Sequence, residues 1–280
     1  MARILKKEQW SDTIFSMLIE AKDVAKASKA GQFIILIPKE HGERVPLTIA
    51  DSSKDEGWVQ IVFQVVGKST LELSKMSEGE ELYSFVGPLG MPSEVEKFPG
   101  KVVMIGGGIG IAPIHPIAKT LKEMGNHVIS IIGARTADLL IMEDKMKEAS
   151  TELIIATDDG SKGKKGFVNM VLEELLATEA DSVDRIWAIG PPIMMKACVE
   201  SAKKFNKPII VSLNPIMVDG TGMCGACRVT VGGETKFACV DGPEFDGALV
   251  DFDELMARQR QYKEEEQKAL ELYKAKEGIA

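Results

Sequence analysis

The sequence lacks the features of several broad classes of protein. Its longest apolar runs fall far short of the roughly 20 residues that a membrane-spanning helix needs, so we expect no membrane segment. Basic residues are in the minority, with 34 Lys and Arg against 42 Asp and Glu, and the net charge of −8 argues against nucleic acid as a partner. The opening residues do not follow the pattern of a secretory signal, which predicts a cytoplasmic protein.

Histidine is also scarce. The chain has 3 histidines, they are scattered along the sequence, and no Ser-His-Asp or Cys-His constellation accompanies them. We therefore expect no catalytic acid, base or nucleophile among the side chains. Any chemistry would then belong to bound cofactors.

Cysteine is scarce too, but three of the 4 cysteines lie close together near the C-terminal end. Asp219, Cys224, Cys227 and Cys239 give the spacing Asp-x4-Cys-x2-Cys-x11-Cys. Plant-type iron–sulfur proteins use Cys-x4-Cys-x2-Cys and a more distant fourth Cys. The intervening glycines suit a loop that turns tightly around a cluster. The spacing predicts a [2Fe–2S] cluster, with Asp219 in the first ligand position.

Two alternatives stay open for this stretch. It could bind another metal such as zinc, although zinc sites usually present two Cys pairs or include His, and one pair is present here. Asp219 could instead be a loop residue beside a position filled by another group, because clusters prefer thiolate to carboxylate. Cys198 is a poor substitute, since it lies upstream in an amphipathic helical stretch and is expected to be a small buried residue.

The pattern of apolar residues divides the 280 residues into four segments, which predicts a multidomain fold. Short β-branched and aromatic runs predict an antiparallel β-barrel in residues 1–97. Alternating strands and helices predict a doubly wound α/β domain with a parallel sheet in residues 98–212. Residues 213–250 would form a small cluster-binding domain. Residues 251–280 contain one long predicted helix, Phe252–Lys276, either exposed to solvent or packed on a partner subunit.

Three loops that follow predicted strands of the α/β segment are candidates for a nucleotide site, because ligands of such sheets bind at the carboxyl ends of strands. The most informative is Gly106–Pro113, which follows a buried strand directly and opens a helix, so that its backbone can approach a pyrophosphate. The turn that begins at Gly190 is explained equally well as a rigid connection between strand and helix. The candidate residues are Gly108, Ile109, Gly110, Ala112, Pro113, Thr157, Asp158, Asp159, Gly160, Gly190, Pro191, Pro192 and Met194.

The preference between NAD and NADP is left open by two opposing signals. Asp158 and Asp159 could accept hydrogen bonds from ribose hydroxyls and would repel a 2′-phosphate, which favours NAD. Arg135, just after the next strand upstream, favours NADP, because Arg commonly accommodates a 2′-phosphate.

The barrel segment contains two further candidate stretches. The first runs from Arg44 to Thr48. The second follows a strand and opens a helix, where backbone N–H groups and hydroxyls can meet a phosphate, although a simple capped helix start is the commoner reason for such a sequence. The candidate residues are Arg44, Pro46, Leu47, Thr48, Gly67, Ser69 and Thr70.

Together these motifs resemble the ferredoxin–NADP reductase superfamily. The glycine-rich loop, the Gly190-Pro191 turn and the Arg-x-Pro-x-Thr segment carry that resemblance. The cysteine ladder and domain order are similar to those of the electron-transfer subunit of dihydroorotate dehydrogenase. With Asp219 and the tail Val250–Met256, nearly the whole chain resembles the small subunits of NADH-dependent reduced ferredoxin:NADP oxidoreductases, the sulfide dehydrogenase type.

This resemblance implies FAD on the barrel, NAD(H) on the α/β domain and a [2Fe–2S] cluster. Arg44 would neutralise the FAD phosphates, Pro46, Leu47 and Thr48 would lie along the flavin ring, and Gly67, Ser69 and Thr70 would hold the pyrophosphate. NADH would lie across the three loops of the α/β domain. The implied partner is a larger flavin- and iron–sulfur-containing subunit in a heterodimer that serves ferredoxin and NADP, with electron bifurcation a property of the whole complex.

Two other functions remain as alternatives. One is the electron-transfer subunit of an NAD-dependent dihydroorotate dehydrogenase, although that group has Cys where this chain has Asp219. The other is a non-catalytic redox sensor that binds a metal and a nucleotide.

Overall fold

The first sheet is antiparallel and curls into a nearly closed barrel. A computed structural model describes residues 2–279, so Met1 and Ala280, the outer ends of the first and last predicted segments, lie outside the described residues. The seven strands pair in the order β6-β1-β2-β5-β4-β3-β7. They are β1 (Ala2–Gln9), β2 (Ile14–Glu20), β3 (Phe33–Ile37), β4 (Val45–Ser53), β5 (Trp58–Gln64), β6 (Glu81–Leu82) and β7 (Ser84–Leu89).

The barrel follows from the connection between its edge strands. β6 and β7 lie at opposite edges of the sheet, yet Tyr83 alone separates them in sequence. The sheet must therefore curl until its edges approach each other, and this brings the apolar faces of the strands into one core. Two short helices, α1 (Lys22–Ala27) and α2 (Lys68–Lys75), lie outside it. The predicted antiparallel barrel is confirmed.

The second sheet has six parallel strands and one antiparallel strand, β16, at an edge, in the order β11-β10-β9-β8-β12-β13-β16. Its strands are β8 (Lys101–Gly107), β9 (His127–Ala134), β10 (Glu152–Thr157), β11 (Lys164–Lys165), β12 (Val183–Ile189), β13 (Ile209–Ser212) and β16 (Glu244–Asp246). Its helices are α3 (Ile111–Glu123), α4 (Glu143–Ala149), α5 (Val168–Glu179) and α6 (Pro192–Lys204).

Helices cover both faces of this sheet. The buried residues of α3 and α4 share one apolar cluster with Val102, Met104 and Trp187 of the sheet. Those of α5 and α6 share another with Val103 and Ile105. Successive residues of one strand thus point to opposite layers, as a doubly wound sheet requires. The predicted α/β fold is confirmed.

The cysteine-rich segment is attached to the second sheet by a strand of its own. It contains a hairpin of β14 (Arg228–Val231) and β15 (Glu234–Phe237), followed by β16. β16 pairs antiparallel with β13, placing Phe245 opposite Val211. Cys227 and Cys239 belong to the same apolar cluster as α5 and α6. Residues 213–250 therefore share a sheet and a core with the α/β domain, and the four segment boundaries stay a prediction from the sequence.

The prediction of one long C-terminal helix is wrong. The tail forms α7 (Phe252–Arg258) and α8 (Lys263–Glu277), separated by a turn. Phe252 and Leu255 of α7 are buried against the α5–α6 layer, whereas α8 contacts α2 of the barrel. The ammonium of Lys75 in α2 lies 5.6 Å from the centre of the Tyr273 ring in α8. A straight helix could not reach both surfaces, so the chain turns at 259–262.

The barrel and the α/β domain meet through a partly buried charged network. Asp51 of β4 accepts from Lys145 at 3.1 Å and pairs with Lys119 at 3.5 Å. Burial would raise the pKa of Asp51, but Lys145 and the neighbouring cations outweigh it and lower that pKa. Beside them, Nδ1 of the buried His115 lies 3.0 Å from the carbonyl oxygen of Ala50 and donates to it in the neutral ring.

Because of His115, we expect the stability of the folded protein to depend on pH. Burial is the main cause that lowers the pKa of His115 in the folded protein, while an unfolded His titrates near about 6.5. The unfolded state therefore binds the proton first as the pH falls. The free energy of unfolding decreases below about pH 6.5, and this group does not change it above that pH. We expect the unfolding temperature to fall between pH 7 and pH 5, measured by thermal denaturation.

A His115→Gln variant serves as the matched control, because it keeps a donor at this position and cannot titrate. Its fall in unfolding temperature over the same range should be smaller than that of the wild type. Equal slopes for the two proteins would assign the effect to other groups.

Candidate functional site

A large cavity lies between the barrel and the α/β domain. Its volume is about 1150 Å³, above the roughly 300–1,000 Å³ of an ordinary small-molecule site. The walls are mostly apolar and come from the barrel, the α/β domain and the segment after β13. Val66, Phe167 and Ile193 line it and are exposed. The cavity has the size and the uncovered apolar surface expected of a site for two extended ligands side by side.

The structure brings most of the predicted cofactor residues to this cavity. They come from β4, the start of α2, the glycine-rich loop and the loops after β9, β10 and β12. The predicted residues on the wall are Pro46, Leu47, Thr48, Thr70, Gly108, Ile109, Gly110, Ala112, Pro113, Arg135, Asp158, Gly190, Pro191, Pro192 and Met194.

The glycines of two of these loops permit a close approach of backbones. A Cβ on Gly110 would lie 2.1 Å from the carbonyl oxygen of Ile189, and one on Gly107 would lie 2.2 Å from the sulfur of Met194. Gly108 has a φ of +56°, with open space where a Cβ would point. The loop before α3 and the loop before α6 therefore touch at their glycines, and two helix N-termini face the same part of the cavity.

Arg135 and Asp158 lie at the carboxyl ends of the adjacent strands β9 and β10. The amide of Asp158 donates to the carbonyl oxygen of Ala134 at 3.1 Å, which ties the two strand ends together. Burial and then Asp159 raise the pKa of Asp158, while Arg135 opposes them. The anionic Asp158 and the cationic Arg135 thus both lie on the cavity wall. These are the two residues whose opposing signals left the choice between NAD and NADP open in the sequence.

The other predicted residues of the loop after β10 form hydrogen bonds and a turn within the loop itself. The Thr157 hydroxyl donates to the carbonyl oxygen of Lys162 at 2.8 Å. Asp159 accepts from the amide and the hydroxyl of Ser161, and Gly160 has a φ of +81° in the turn between them. These three residues hold the loop that presents Asp158 and do not line the cavity.

On the barrel side the predicted phosphate residues are divided. Thr70 lines the cavity, and its Oγ1 accepts from the amides of Val66 and Gly67, so it caps α2. The Ser69 hydroxyl donates to Glu43, away from the cavity. Arg44 is exposed just before β4. Arg44, Gly67 and Ser69 are not wall residues in the described structure.

Sequence reasoning missed two parts of the wall. The first is the barrel interior, where long-range strand pairing alone brings residues together. The second lies at the carboxyl ends of β9 and β13, and the rule that ligands bind at strand ends could have found it. The missed wall residues include Phe33, Val62, Phe63, Gln64, Gly133, Ala134, Ser212, Asn214, Pro215, Met217 and Pro243.

The predicted cluster ligands lie in one loop and the hairpin after it. The sulfurs of Cys227 and Cys239 are 3.1 Å apart and buried, while Cys224 is exposed. Burial, followed by the neighbouring Cys227 thiol, raises the pKa of Cys239 to about 12. Without metal the Cys239 thiol stays protonated, so metal binding must drive its deprotonation. Cys198 is fully buried in α6, as predicted, and takes no part.

Asp219 braces the loop with its carboxylate. One oxygen accepts from the amide of Thr221 at 2.9 Å and the other from the amide of Cys224 at 2.8 Å. These contacts, led by the Thr221 amide, lower the pKa of Asp219. The carboxylate therefore remains ionised and lies next to the first cysteine.

The donor set, three Cys and one Asp, suits a two-iron cluster. Such a cluster divides four protein ligands between two irons. Gly220, Gly222 and Gly225 all have positive φ values, so the loop turns at every second or third residue, as wrapping a cluster requires.

These features define a class of protein: a reductase with a flavin-type barrel, a dinucleotide-binding domain and an iron–sulfur domain. The oxidoreductase NAD-binding domain family matches residues 104–200. The iron–sulfur cluster binding domain of dihydroorotate dehydrogenase B matches residues 214–251.

Whole-length relatives agree with the domain matches. A Thermotoga maritima protein named as a homologue of the dihydroorotate dehydrogenase B electron transfer subunit is 51% identical over 96% of this chain and 94% of its own. The dihydroorotate dehydrogenase B electron transfer subunit of Clostridium perfringens is 31% identical over 85% of this chain and 92% of its own. A chain of the NADH-dependent reduced ferredoxin-NADP oxidoreductase structure, described in terms of flavin-based electron bifurcation, is 50% identical with a TM-score of 0.92 and covers 98% of both chains.

The chain belongs to the family of dihydroorotate dehydrogenase B-type electron-transfer subunits and their homologues. The predicted oxidoreductase electron-transfer subunit is thereby confirmed, and the findings support the predicted cofactors FAD, an iron–sulfur cluster and NAD. Its relatives are subunits, so the chain works with a partner subunit. Among the described helices, none is both long and apolar enough to cross a membrane.

Proposed function

We propose that the chain is the electron-input subunit of a ferredoxin:NADP oxidoreductase complex. It would oxidise NADH at FAD in the interdomain cavity and pass electrons through a [2Fe–2S] cluster to a larger flavin- and iron–sulfur-containing subunit of a heterodimer. When bound, FAD supplies the conversion of a two-electron hydride transfer into single-electron steps. This chain's own residues bind, orient and shield the cofactors.

One observation carries the proposal: the cavity wall is continuous with the cluster loop. Met217 and Pro243 line the cavity. Met217 lies two residues before Asp219, and Pro243 lies four residues after Cys239. A flavin in this cavity would therefore be flanked by the NAD-binding loops on one side and by the cluster segment on the other. That arrangement suits electron flow from nucleotide to flavin to cluster.

The barrel residues support a flavin in particular. Pro46, Leu47 and Thr48 form part of β4 and offer an extended, partly apolar edge along which a flat ring can lie. The N-terminus of α2, capped by Thr70, points its dipole toward a pyrophosphate. Arg44 lies at the solvent edge of the same strand and would neutralise phosphate charge. Gly67 and Ser69 would approach the pyrophosphate with the backbone of the helix start, because the Ser69 hydroxyl is engaged by Glu43.

The α/β residues support NADH over NADPH. Gly108–Pro113 and Gly190–Met194 would cradle the pyrophosphate and the nicotinamide. Asp158 is the carboxylate on the wall, and it would accept from a ribose hydroxyl and repel a 2′-phosphate. Thr157, Asp159 and Gly160 would act by fixing that loop. Arg135 beside it would balance the charge of Asp158.

The cluster residues are proposed as Asp219, Cys224, Cys227 and Cys239. The three thiolates would bind iron, and the ionised Asp219 is close enough to the first cysteine to serve as the fourth ligand after a small change of the loop. Asp219 is the feature that most favours the ferredoxin:NADP complex. The dihydroorotate dehydrogenase subunits, which this chain resembles, have the same ligand spacing with Cys in this position.

The second candidate is the electron-transfer subunit of a dihydroorotate dehydrogenase. It is favoured by the match of residues 214–251 to the cluster domain of dihydroorotate dehydrogenase B. The partner decides between the two. Recovery of a dihydroorotate-oxidising subunit with this chain would establish the second candidate, whereas a larger flavin- and iron–sulfur-containing subunit would support the first.

An anaerobic visible spectrum tests the proposed function directly. We expect flavin absorption near about 450 nm with broad iron–sulfur shoulders, and bleaching of both on addition of NADH. NADPH at the same concentration should bleach them much more slowly. A protein isolated without oxygen that shows no flavin and no cluster absorption would favour a non-catalytic sensor instead.

A further inference from the structure

Two guanidinium groups contact the cluster loop between its first two cysteines. Arg228 donates to the carbonyl oxygen of Gly225 at 3.2 Å. Arg258 donates to the carbonyl oxygen of Ala226 at 3.3 Å. Arg228 is exposed at the start of β14, whereas Arg258 is partly buried at the end of α7. Both cations therefore act on the same short loop from different elements and in different surroundings.

These contacts fix the direction of two peptide groups. The peptide between Gly225 and Ala226 directs its N–H toward the sulfur of Cys224, at 3.5 Å. In the next peptide Arg258 holds the Ala226 carbonyl. Because a trans peptide points its C=O and N–H to opposite sides, this contact also fixes the direction of the Cys227 N–H. Amides near the sulfurs are among the groups that set a cluster's potential.

Arg258 is held firmly in place by the rest of α7. Phe252 and Leu255 of this helix are buried, Asp251 caps the first turn by accepting from the amide of Glu254 at 2.9 Å, and Lys196 pairs with Asp253 at 2.7 Å. The next residue, Gln259, donates to the backbone carbonyl of Asn214 at 2.9 Å. Asn214 lines the cavity. The end of α7 thus joins the cavity wall to the cluster loop.

The position of Arg258 also destabilises the fold. Within the described residues its Nε is buried and has no hydrogen-bond acceptor. A buried donor without an acceptor destabilises a fold, and such a group in a native structure calls for a reason other than packing. The charge of Arg258 supplies such a reason. A cation shielded from water acts more strongly on a nearby cluster than an exposed cation does.

We propose that Arg258 is a positioning residue of the iron–sulfur site, which fixes the Ala226–Cys227 peptide and supplies a positive charge that raises the reduction potential of the cluster. Reduction adds an electron to the cluster, so a nearby cation stabilises the reduced state. The tail helix α7 lies just beyond residues 214–251, which match the cluster domain family. With this role of Arg258, the helix is part of the redox site. The inference rests on the proposed function only in requiring that this loop binds a cluster.

The test is a redox titration of the intact complex, with the cluster followed by electron paramagnetic resonance. Arg258→Met removes the charge and retains most of the bulk. We expect its equilibrium constant for one-electron reduction to fall about tenfold, which is a shift of about 59 mV toward more negative potential. Arg258→Lys keeps the charge and should stay within about twofold of the wild type. Arg228→Met is the matched control, and its shift should be smaller because that side chain is exposed.

Iron and flavin content are measured on every sample. A wild-type complex without a cluster would contradict the proposed function itself, before any variant is compared. A loaded Arg258→Met protein with the wild-type potential, or an equal shift in Arg228→Met, would overturn the role of Arg258. If Arg258→Met loses its iron, Arg258→Lys decides: full iron and a potential near the wild type support the proposal, and loss of iron or a tenfold change contradicts it.

Discussion

Replacing Cys239 with Ser should abolish electron transfer to the partner while leaving reduction of the flavin by NADH intact. Cys239 is buried 3.1 Å from Cys227, inside the apolar core shared with α5 and α6. A serine oxygen is a harder and poorer iron ligand than thiolate. We expect transfer to the partner subunit to fall roughly 100-fold or more, because the electron carrier itself is lost. Stopped-flow measurement of flavin bleaching and of acceptor reduction separates the two steps.

Two variants test whether this loss is specific. Cys198→Ala changes a cysteine of the same core that is not one of the predicted ligands, so it should keep the cluster and lose only stability. Asp219→Cys gives the ladder four cysteines and should keep a cluster with an altered resonance signal. An unchanged signal in Asp219→Cys would exclude Asp219 as a ligand, and normal electron transfer in Cys239→Ser would exclude the predicted ladder.

Replacing Gly110 with Ala should block NADH oxidation while leaving both tightly bound cofactors in place. Its φ of −64° suits any residue, so the effect is one of space. The new Cβ would lie 2.1 Å from the carbonyl oxygen of Ile189 and 2.7 Å from Cα of Gly190. Because these are backbone atoms, the two loops must move apart. We expect kcat/KM for NADH to fall roughly 100-fold, the cost of misplacing a reacting group by about 1 Å.

Gly100→Ala provides the matched control for Gly110→Ala. A Cβ there would lie 2.5 Å from the carbonyl oxygen of Ser182, so it imposes a similar clash in the same domain but outside the cavity wall. It should lower the unfolding temperature and leave kcat/KM for NADH near the wild type. Equal losses of kcat/KM in the two variants would mean that Gly110 acts only through the stability of the domain.

The local chemistry could be predicted from the sequence because its signals are local. The spacing from Asp219 to Cys239 indicated a cluster, since ligands of one loop lie within reach of each other whatever surrounds them. Gly106–Pro113 indicated a nucleotide because a strand, a glycine turn and a helix follow each other directly. Alternation of strands and helices indicated the doubly wound sheet for the same reason. Most of the residues that line the cavity from these loops were therefore found without the structure.

The tertiary structure decided what depends on residues far apart in the chain. Ser69 looked like a phosphate ligand in sequence, but its hydroxyl is engaged by Glu43, 26 residues away. The tail read as one helix because its helix-forming residues are continuous, and it breaks because α7 and α8 pack on different domains. Phe33 and Phe63 reach the cavity only through the curl of the barrel.

The sequence by itself thus determined which cofactor chemistries this chain contains and their order along it. The three-dimensional fold alone decided that the interdomain cavity and the segment with the cysteine loop share a wall, and that Arg258 contacts Ala226 from 32 residues away. The physical reason is that ligand spacing and glycine turns are fixed by short-range geometry. Contacts between separate elements are fixed by the packing of the whole core, which no single stretch of sequence encodes.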